Sequence, residues 1–197
     1  MRARTWSGQW VYDRAPMLPR EFHGGARPDR APRTTLSQLR ATGRRWPREP
    51  ATPSLTRWLK APGSLTARLR RHGHVTVQVI RQGTRRLNRA EQMALGQVSA
   101  HVREVLLRVD GEPMVWARST TSHRALKGPW KALKGLGNRP LAELLFSHAQ
   151  VSRGPLHLHR NSAGKAPRWG RASIFLHHGH PLRVMESFSP RIQCWRP

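Results

Sequence analysis

His101-Val-Arg-Glu-Val-Leu-Leu-Arg-Val109, Asp110-Gly111 and Glu112-Pro-Met-Val-Trp-Ala-Arg-Ser-Thr120 read as two strands and the turn that joins them. Apolar residues recur at every second position of the first run, the period of a strand with one buried face. Asp-Gly is the dipeptide a two-residue hairpin favours, because both central residues of that turn need positive φ. On the first strand Arg103 shares a face with Val105, Leu107 and Val109, so the alternation carries a guanidinium toward the core. The opposite charge is carried inward nearer the C-terminus. In Pro181-Leu-Arg-Val-Met-Glu-Ser-Phe188, Leu182, Val184, Glu186 and Phe188 share one face. A carboxylate on an apolar face needs a partner or a chemical role. One inward Arg and one inward Glu on separate strands point to a closed pocket that binds an anion and moves a proton. The plain alternative is a buried ion pair between the two.

The rest of the chain from Pro53 supplies more strands and short helices. Ser54 to Leu59 has the composition of a short helix, and Ser64 is placed to cap a second through Leu65 and Leu69, ending at Gly73. His74 to Arg81 alternates Val75, Val77 and Val79 as a strand, and a helical turn is expected at Ala90 to Leu95. Ser122 to Leu136 reads as a helix that Gly128-Pro129 must interrupt, and Pro140 opens another that runs to Phe146. Further strands are expected at about 150–158, 169–177 and 181–188, the last two joined at Gly179. The sum is an α+β single domain, residues 53–197, with about six antiparallel strands and inserted helices.

Residues 1–52 differ. They mix Arg, Pro and Gly with little periodicity and read as a basic, weakly ordered extension. A short helix is expected at Thr35 to Thr42, with Trp6, Trp10 and Trp46 available to dock on the domain.

Formal net charge is +26, from 36 basic and 10 acidic residues. Such a balance raises nucleic acid, an anionic surface or an acidic small substrate. The basic residues are scattered, however, and no zinc-finger, RNP or homeodomain pattern accompanies them, so no obligate nucleic-acid partner is expected. There is no phosphate loop and no dinucleotide fingerprint. His157 and His159 share a strand face and His177, His178 and His180 crowd a turn, but with no carboxylate or thiol nearby in sequence they read as surface histidines, and no metal is expected. Cys194 is the single cysteine, which leaves no disulfide framework. No apolar run reaches the length of a membrane span, and the N-terminal residues lead into no signal-like apolar segment, so the cytoplasm is the expected compartment.

The strands also resemble a known family. Val102-Arg-Glu-Val-Leu-Leu107 followed by Asp110-Gly-Glu-Pro113 is similar to the core of chorismate pyruvate-lyase, the 4-hydroxybenzoate synthase of ubiquinone biosynthesis. Val79-Ile-Arg-Gln-Gly83, Leu136-Gly-Asn-Arg-Pro-Leu141 with Leu145-Phe146, Trp169-Gly-Arg-Ala-Ser173 and Pro181-Leu-Arg-Val-Met-Glu186 continue the likeness in order, over about residues 54–190. The resemblance implies helical flaps closing over an internal site, with chorismate as substrate and no cofactor. Arg103 matches the arginine that holds the ligand's carboxylate, and Glu186 the acid at the ligand's other end. Leu141 matches a main-chain contact, Leu65 a flap position where the family carries Met, and Arg118 and Arg171 basic positions suited to the second carboxylate. Product inhibition by 4-hydroxybenzoate is implied as well, and a monomer is expected. Two rivals remain at this point: an aromatic-acid sensor of the same fold, and a basic nucleic-acid-binding protein.

Overall fold

Thr52 and Ser64 each turn the chain into a short helix with a side-chain oxygen. Thr52 Oγ1 accepts from the Leu55 amide at 3.2 Å to begin α1 (Pro53–Lys60), and Ser64 Oγ accepts from the Ala67 amide at 3.2 Å to begin α2 (Leu65–Leu69). β1 (Val75–Arg86) runs five residues past its expected end. α3 (Arg89–Leu95) opens on a capping box between Asn88 and Glu91 and closes at Gly96. β2 (Ser99–Val109) and β3 (Glu112–Thr121) form the expected hairpin, with φ of 48° at Asp110 and 81° at Gly111. Ser122 caps α4 (His123–Lys127), and Gly128-Pro129 breaks the helix before a 3₁₀ turn at Lys131–Gly135. α5 (Leu141–Phe146) follows Pro140. β4 (Val151–Arg153), β5 (His157–Asn161), β6 (Arg168–His177), β7 (His180–Phe188) and a 3₁₀ turn at Pro190–Cys194 complete the chain. This computed structural model describes residues 51–146, 149–161 and 168–197, with the backbone alone at Asn161 and Arg168. The expected helix at Thr35 to Thr42, the tryptophans Trp6, Trp10 and Trp46, and all but the last two residues of the 1–52 extension lie outside the described residues.

All strand pairs are antiparallel, in the order β1-β2-β3-β7-β6, with β4 and β5 sharing the outer edge of β6. Among the described residues the sheet therefore has seven strands, against about six expected from the alternation. The difference arises at Gly154-Pro155. The Gly154 amide still reaches the Ile174 carbonyl at 2.8 Å, but Pro155 has no N–H to offer, and the ladder stops until His157. What reads as one strand at 150–158 is thus two.

One face of the sheet carries the helices other than α3, which lies on the opposite face. Leu55, Trp58 and Leu59 of α1 and Leu65 and Leu69 of α2 pack with Val77, Val105, Leu107, Phe188 and Ile192 in one apolar cluster. Ala125 and Leu126 of α4, Trp130, Leu133, and Leu144 and Leu145 of α5 pack with Phe175, Leu182 and Val184 in a second. The C-terminal turn is tied back to α1, because Ser54 Oγ donates to the Gln193 carbonyl at 2.6 Å and Trp58 Nε1 to the Trp195 carbonyl at 3.0 Å. A smaller cluster of Leu87, Ala100 and Val102, with Leu95 against it, sits below α3. The two larger clusters leave a space between them, and that space holds the charged residues.

Candidate active site

Arg103, Glu186 and the residues between them meet in a cavity of about 680 Å³, counted with its mouth. Alternation along each strand decides what enters it: Val105 and Leu107 beside Arg103 on β2, Ala117 and Ser119 on β3, Val184 beside Glu186 on β7, and Arg171, Ser173 and Phe175 on β6. Leu65 and Thr66 of α2 and Leu141, Leu145 and Phe146 of α5 close it from above. The flaps are therefore the two helix pairs whose apolar faces also build the two clusters.

Arg103 stands at one end. It is 2% exposed, and its Nη2 donates to the carbonyls of Gly137 at 2.8 Å and Arg139 at 3.1 Å. Its Nε is buried with no hydrogen-bond partner among the described residues. Burial pushes its pKa down from the usual arginine value. A guanidinium keeps its proton in a protein, so this is a buried cation offering a donor to an incoming anion.

Glu186 stands at the other end, but its partner is not Arg103. Arg171 lies directly across from it on β6, and Arg171 Nε reaches Glu186 Oε2 at 2.5 Å. Arg171 Nη1 also donates to the carbonyls of Trp58 at 3.2 Å and Ala61 at 2.8 Å, at the end of α1. The same guanidinium thus holds the carboxylate in place and anchors the flap helix above it. Both line the cavity, and the Glu186 side chain remains 16% exposed, against 2% for Arg171, so the carboxylate is the more accessible member of the pair. The plain alternative raised by the sequence, an Arg103–Glu186 ion pair, is not what forms.

Leu65, Leu141 and Arg171 all line the cavity. Arg118 does not. Ala117 and Ser119 face the cavity, so Arg118 between them points to the other side of the sheet. There it meets Glu91 of α3 at 2.5 and 2.9 Å and also Glu104, which Arg81 joins at 3.2 Å. Arg183 Nη1 lies 3.9 Å from Glu91. Burial opposes the charge of Arg118, but Glu91 and Glu104 more than offset it and raise its pKa. The second-carboxylate role implied for Arg118 is corrected on this geometry: its donors are spent on two carboxylates on the far face. His157 and His159 share that far face, because they pair with Ala172 and Gly170 of β6. Glu91 is the centre of the far-face network, fully buried and bonded to both the start of its helix and Arg118. Replacing it with Ala leaves Arg118 and Arg183 short of counter-charge, and we expect about 3 kcal/mol of lost stability in a denaturant titration with the cavity chemistry retained.

One charged residue lining the cavity has no counterpart among the residues singled out from the sequence. Arg153 of β4 lines the cavity beside Arg171, donates from Nε to Ser173 Oγ at 3.1 Å, and lies with its guanidinium carbon 5.3 Å from the centre of the Phe175 ring. Its only sequence signal is a place two residues along from Val151 in a very short strand. Among the described residues no group of three or more His, Cys, Asp or Glu is arranged to hold a metal, and no helix is long and apolar enough to cross a membrane.

Fold and cavity together define an α+β protein whose cavity has the Arg103 cation at one end and the paired Glu186 carboxylate at the other. A profile of the chorismate lyase family matches residues 47–195, and the chain belongs to that family. It is 40% identical over 163 residues to a probable chorismate pyruvate-lyase of Albidiferax ferrireducens, covering 71% of this chain and 83% of that protein. It is 40% identical over 177 residues to a probable chorismate pyruvate-lyase of Azoarcus sp. strain BH72, covering 77% of this chain and 94% of that one. Among solved structures, PhnF from Mycobacterium smegmatis superposes with a TM-score of 0.48 at 12% identity, over 67% of this chain and 66% of that one.

Proposed function

We propose that this chain is a chorismate pyruvate-lyase, a carbon–oxygen lyase that converts chorismate to 4-hydroxybenzoate and pyruvate, the first committed step toward ubiquinone. Membership of the family supports the reaction, and the two-ended cavity supports the assignment of roles. The observation that carries those roles is the buried, under-bonded guanidinium of Arg103 in the same cavity as the Glu186–Arg171 pair.

Chorismate carries a ring carboxylate, a hydroxyl para to it at C4, and an enolpyruvyl ether at C3. In the net reaction the C3–O bond breaks and the C4–H electron pair becomes the third ring double bond. The C4 proton balances the one gained by the enolpyruvyl methylene, which yields pyruvate. Aromatisation drives the step, so the protein's contribution is chiefly to hold one conformer in register. Arg103 clamps the ring carboxylate through charge-assisted hydrogen bonds. Glu186, held by Arg171, accepts the hydrogen bond of the C4 hydroxyl that becomes the phenol. Leu65, Leu141 and Val184 line the cavity with apolar groups that keep bulk water from the reacting bond. No cofactor enters this account.

The same contacts hold the product, which keeps both the carboxylate and the para hydroxyl. Product inhibition by 4-hydroxybenzoate follows, with flap opening limiting release. We assign the activity to a monomer in the cytoplasm.

The test is incubation of the purified protein with chorismate and quantification of both products. Wild type is expected to yield 4-hydroxybenzoate and pyruvate in equal amounts, and Glu186→Gln to lower kcat/KM by about 10- to 100-fold, the worth of one charged hydrogen bond. Binding of 4-hydroxybenzoate without turnover by wild type would replace the enzyme with an aromatic-acid sensor. Salt-dependent nucleic-acid binding with no response to 4-hydroxybenzoate would overturn both.

A further inference from the structure

Chorismate is a dianion, and on the reading just given Arg103 accounts for only one of its carboxylates. We propose that Arg153 binds the other, the carboxylate of the enolpyruvyl arm, and so distinguishes substrate from product. This inference rests on the lyase reading and extends it to a residue that touches only the part of the substrate that leaves.

Three arginines line the cavity: Arg103, Arg153 and Arg171. Arg171 is committed, with Nε on Glu186 and Nη1 on the carbonyls of Trp58 and Ala61. Arg118 is committed on the far face. Arg153 is oriented but not saturated. Its Nε is held by Ser173 Oγ at 3.1 Å and its plane rests near the Phe175 ring, while its two terminal amines make no hydrogen bond or ion pair with any described residue. The local charge agrees. Burial lowers the pKa of Arg153, the neighbouring Arg171 lowers it further, and Glu186 acts in the other direction. Two guanidinium groups and one carboxylate leave this end of the cavity with a net positive charge that an incoming carboxylate neutralises.

The substrate's own connectivity matches this placement. The C4 hydroxyl is para to the ring carboxylate, so a ring clamped by Arg103 presents that hydroxyl to the opposite end, at Glu186. The enolpyruvyl ether is on C3, adjacent to C4, so its carboxylate must fall beside Glu186 and not beside Arg103. Arg153 is the remaining cation there, close enough to Glu186 and Arg171 for both to act on its charge. An arm fixed at its carboxylate also keeps the methylene near the ring, where it receives its proton.

4-Hydroxybenzoate lacks the arm, and this supplies a test that a merely structural role does not pass. Full-length wild type, Arg153→Gln and Arg153→Lys are compared for kcat/KM with chorismate and for the inhibition constant of 4-hydroxybenzoate. Arg153→Gln is expected to lose about 10- to 100-fold in kcat/KM, with inhibition by 4-hydroxybenzoate changed by less than about two-fold. Arg153→Lys, which keeps the charge without the planar fork, is expected to recover part of the loss. Unchanged kcat/KM in Arg153→Gln overturns the assignment. So does a parallel loss of product binding in both variants, which marks a general disturbance of the cavity. If wild type itself forms no 4-hydroxybenzoate, it is the lyase reading that has failed, and the assignment of Arg153 falls with it.

Discussion

Arg171→Met is expected to lower the stability of this protein by about 4 kcal/mol and to remove most of its turnover. The side chain is 2% exposed and makes three kinds of contact at once: an ion pair with Glu186, hydrogen bonds to the carbonyls of Trp58, Leu59 and Ala61 at the end of α1, and packing of its guanidinium carbon 5.5 Å from the Phe188 ring centre. Removing one partner of a buried pair leaves the other charge without compensation, which costs far more than the intact pair contributes. The carbonyls of Trp58 and Ala61 lose their donor in the same step. For a domain of this size the change corresponds to a fall in Tm of about 10 °C. Activity falls for a separate reason, because Glu186 and the α1 flap no longer share an anchor. Arg171→Lys restores the charge but not the fork that spans carboxylate and carbonyls, so it is expected to recover stability only in part. Thermal unfolding of both variants beside wild type decides the point: a Tm within about 2 °C of wild type for Arg171→Met would remove Arg171 from its anchoring role.

Arg103→Met is expected to behave in the opposite way. Here the loss is in binding: about 10³-fold in both kcat/KM for chorismate and affinity for 4-hydroxybenzoate, since each loses the clamp on its ring carboxylate. Stability is expected to stay within about 1 kcal/mol of wild type. Arg103 is a buried cation with only carbonyl partners in the described protein and an unbonded Nε, so in the absence of ligand its charge is a burden to the fold. An apolar chain of similar length relieves that burden while sacrificing two hydrogen bonds. Titration calorimetry with 4-hydroxybenzoate, paired with a denaturant melt, separates the two effects. Full retention of affinity in a folded Arg103→Met protein would place the ligand's carboxylate elsewhere.

The contrast between these two arginines shows where reading from sequence stopped. Period-two alternation was enough to send Arg103 and Glu186 inward, because the pleat leaves no other choice once Val105, Leu107 and Val184 are buried. It could not say which arginine would pair with Glu186. That depends on strand order: β6 and β3 flank β7, so Arg171 sits directly across from Glu186, while β2 and Arg103 are a further strand away. Sheet order is set by connections of different lengths and by helix packing, neither of which leaves a local mark on the strands.

Arg118 illustrates a second limit. A regular hairpin about Asp110-Gly111 pairs Val109 with Glu112 and Arg108 with Pro113, and continued without interruption it would pair Arg103 with Arg118 on the cavity face. A bulge between Leu107 and Arg108 shifts the register by one, so Arg103 pairs with Ser119 and Arg118 turns to Glu91 and Glu104. One residue of slip exchanges the two faces, and a bulge of this kind has no reliable signature in a single sequence. Arg153 was missed for a related reason. A three-residue strand is too short for alternation to declare a face, and its orientation comes from pairing with β6.

By itself, then, the sequence determined the kinds of element, the hairpin, the inward arginine and glutamate, and the family, because each of these is written in local periodicity, turn chemistry or the order of short motifs. Only the tertiary structure decided the partner of Glu186, the removal of Arg118 from the site, the split of β4 from β5 and the arrival of Arg153 beside the ion pair. Those outcomes turn on register and strand order, which are fixed by contacts between residues far apart in the chain and so cannot be read from any one segment.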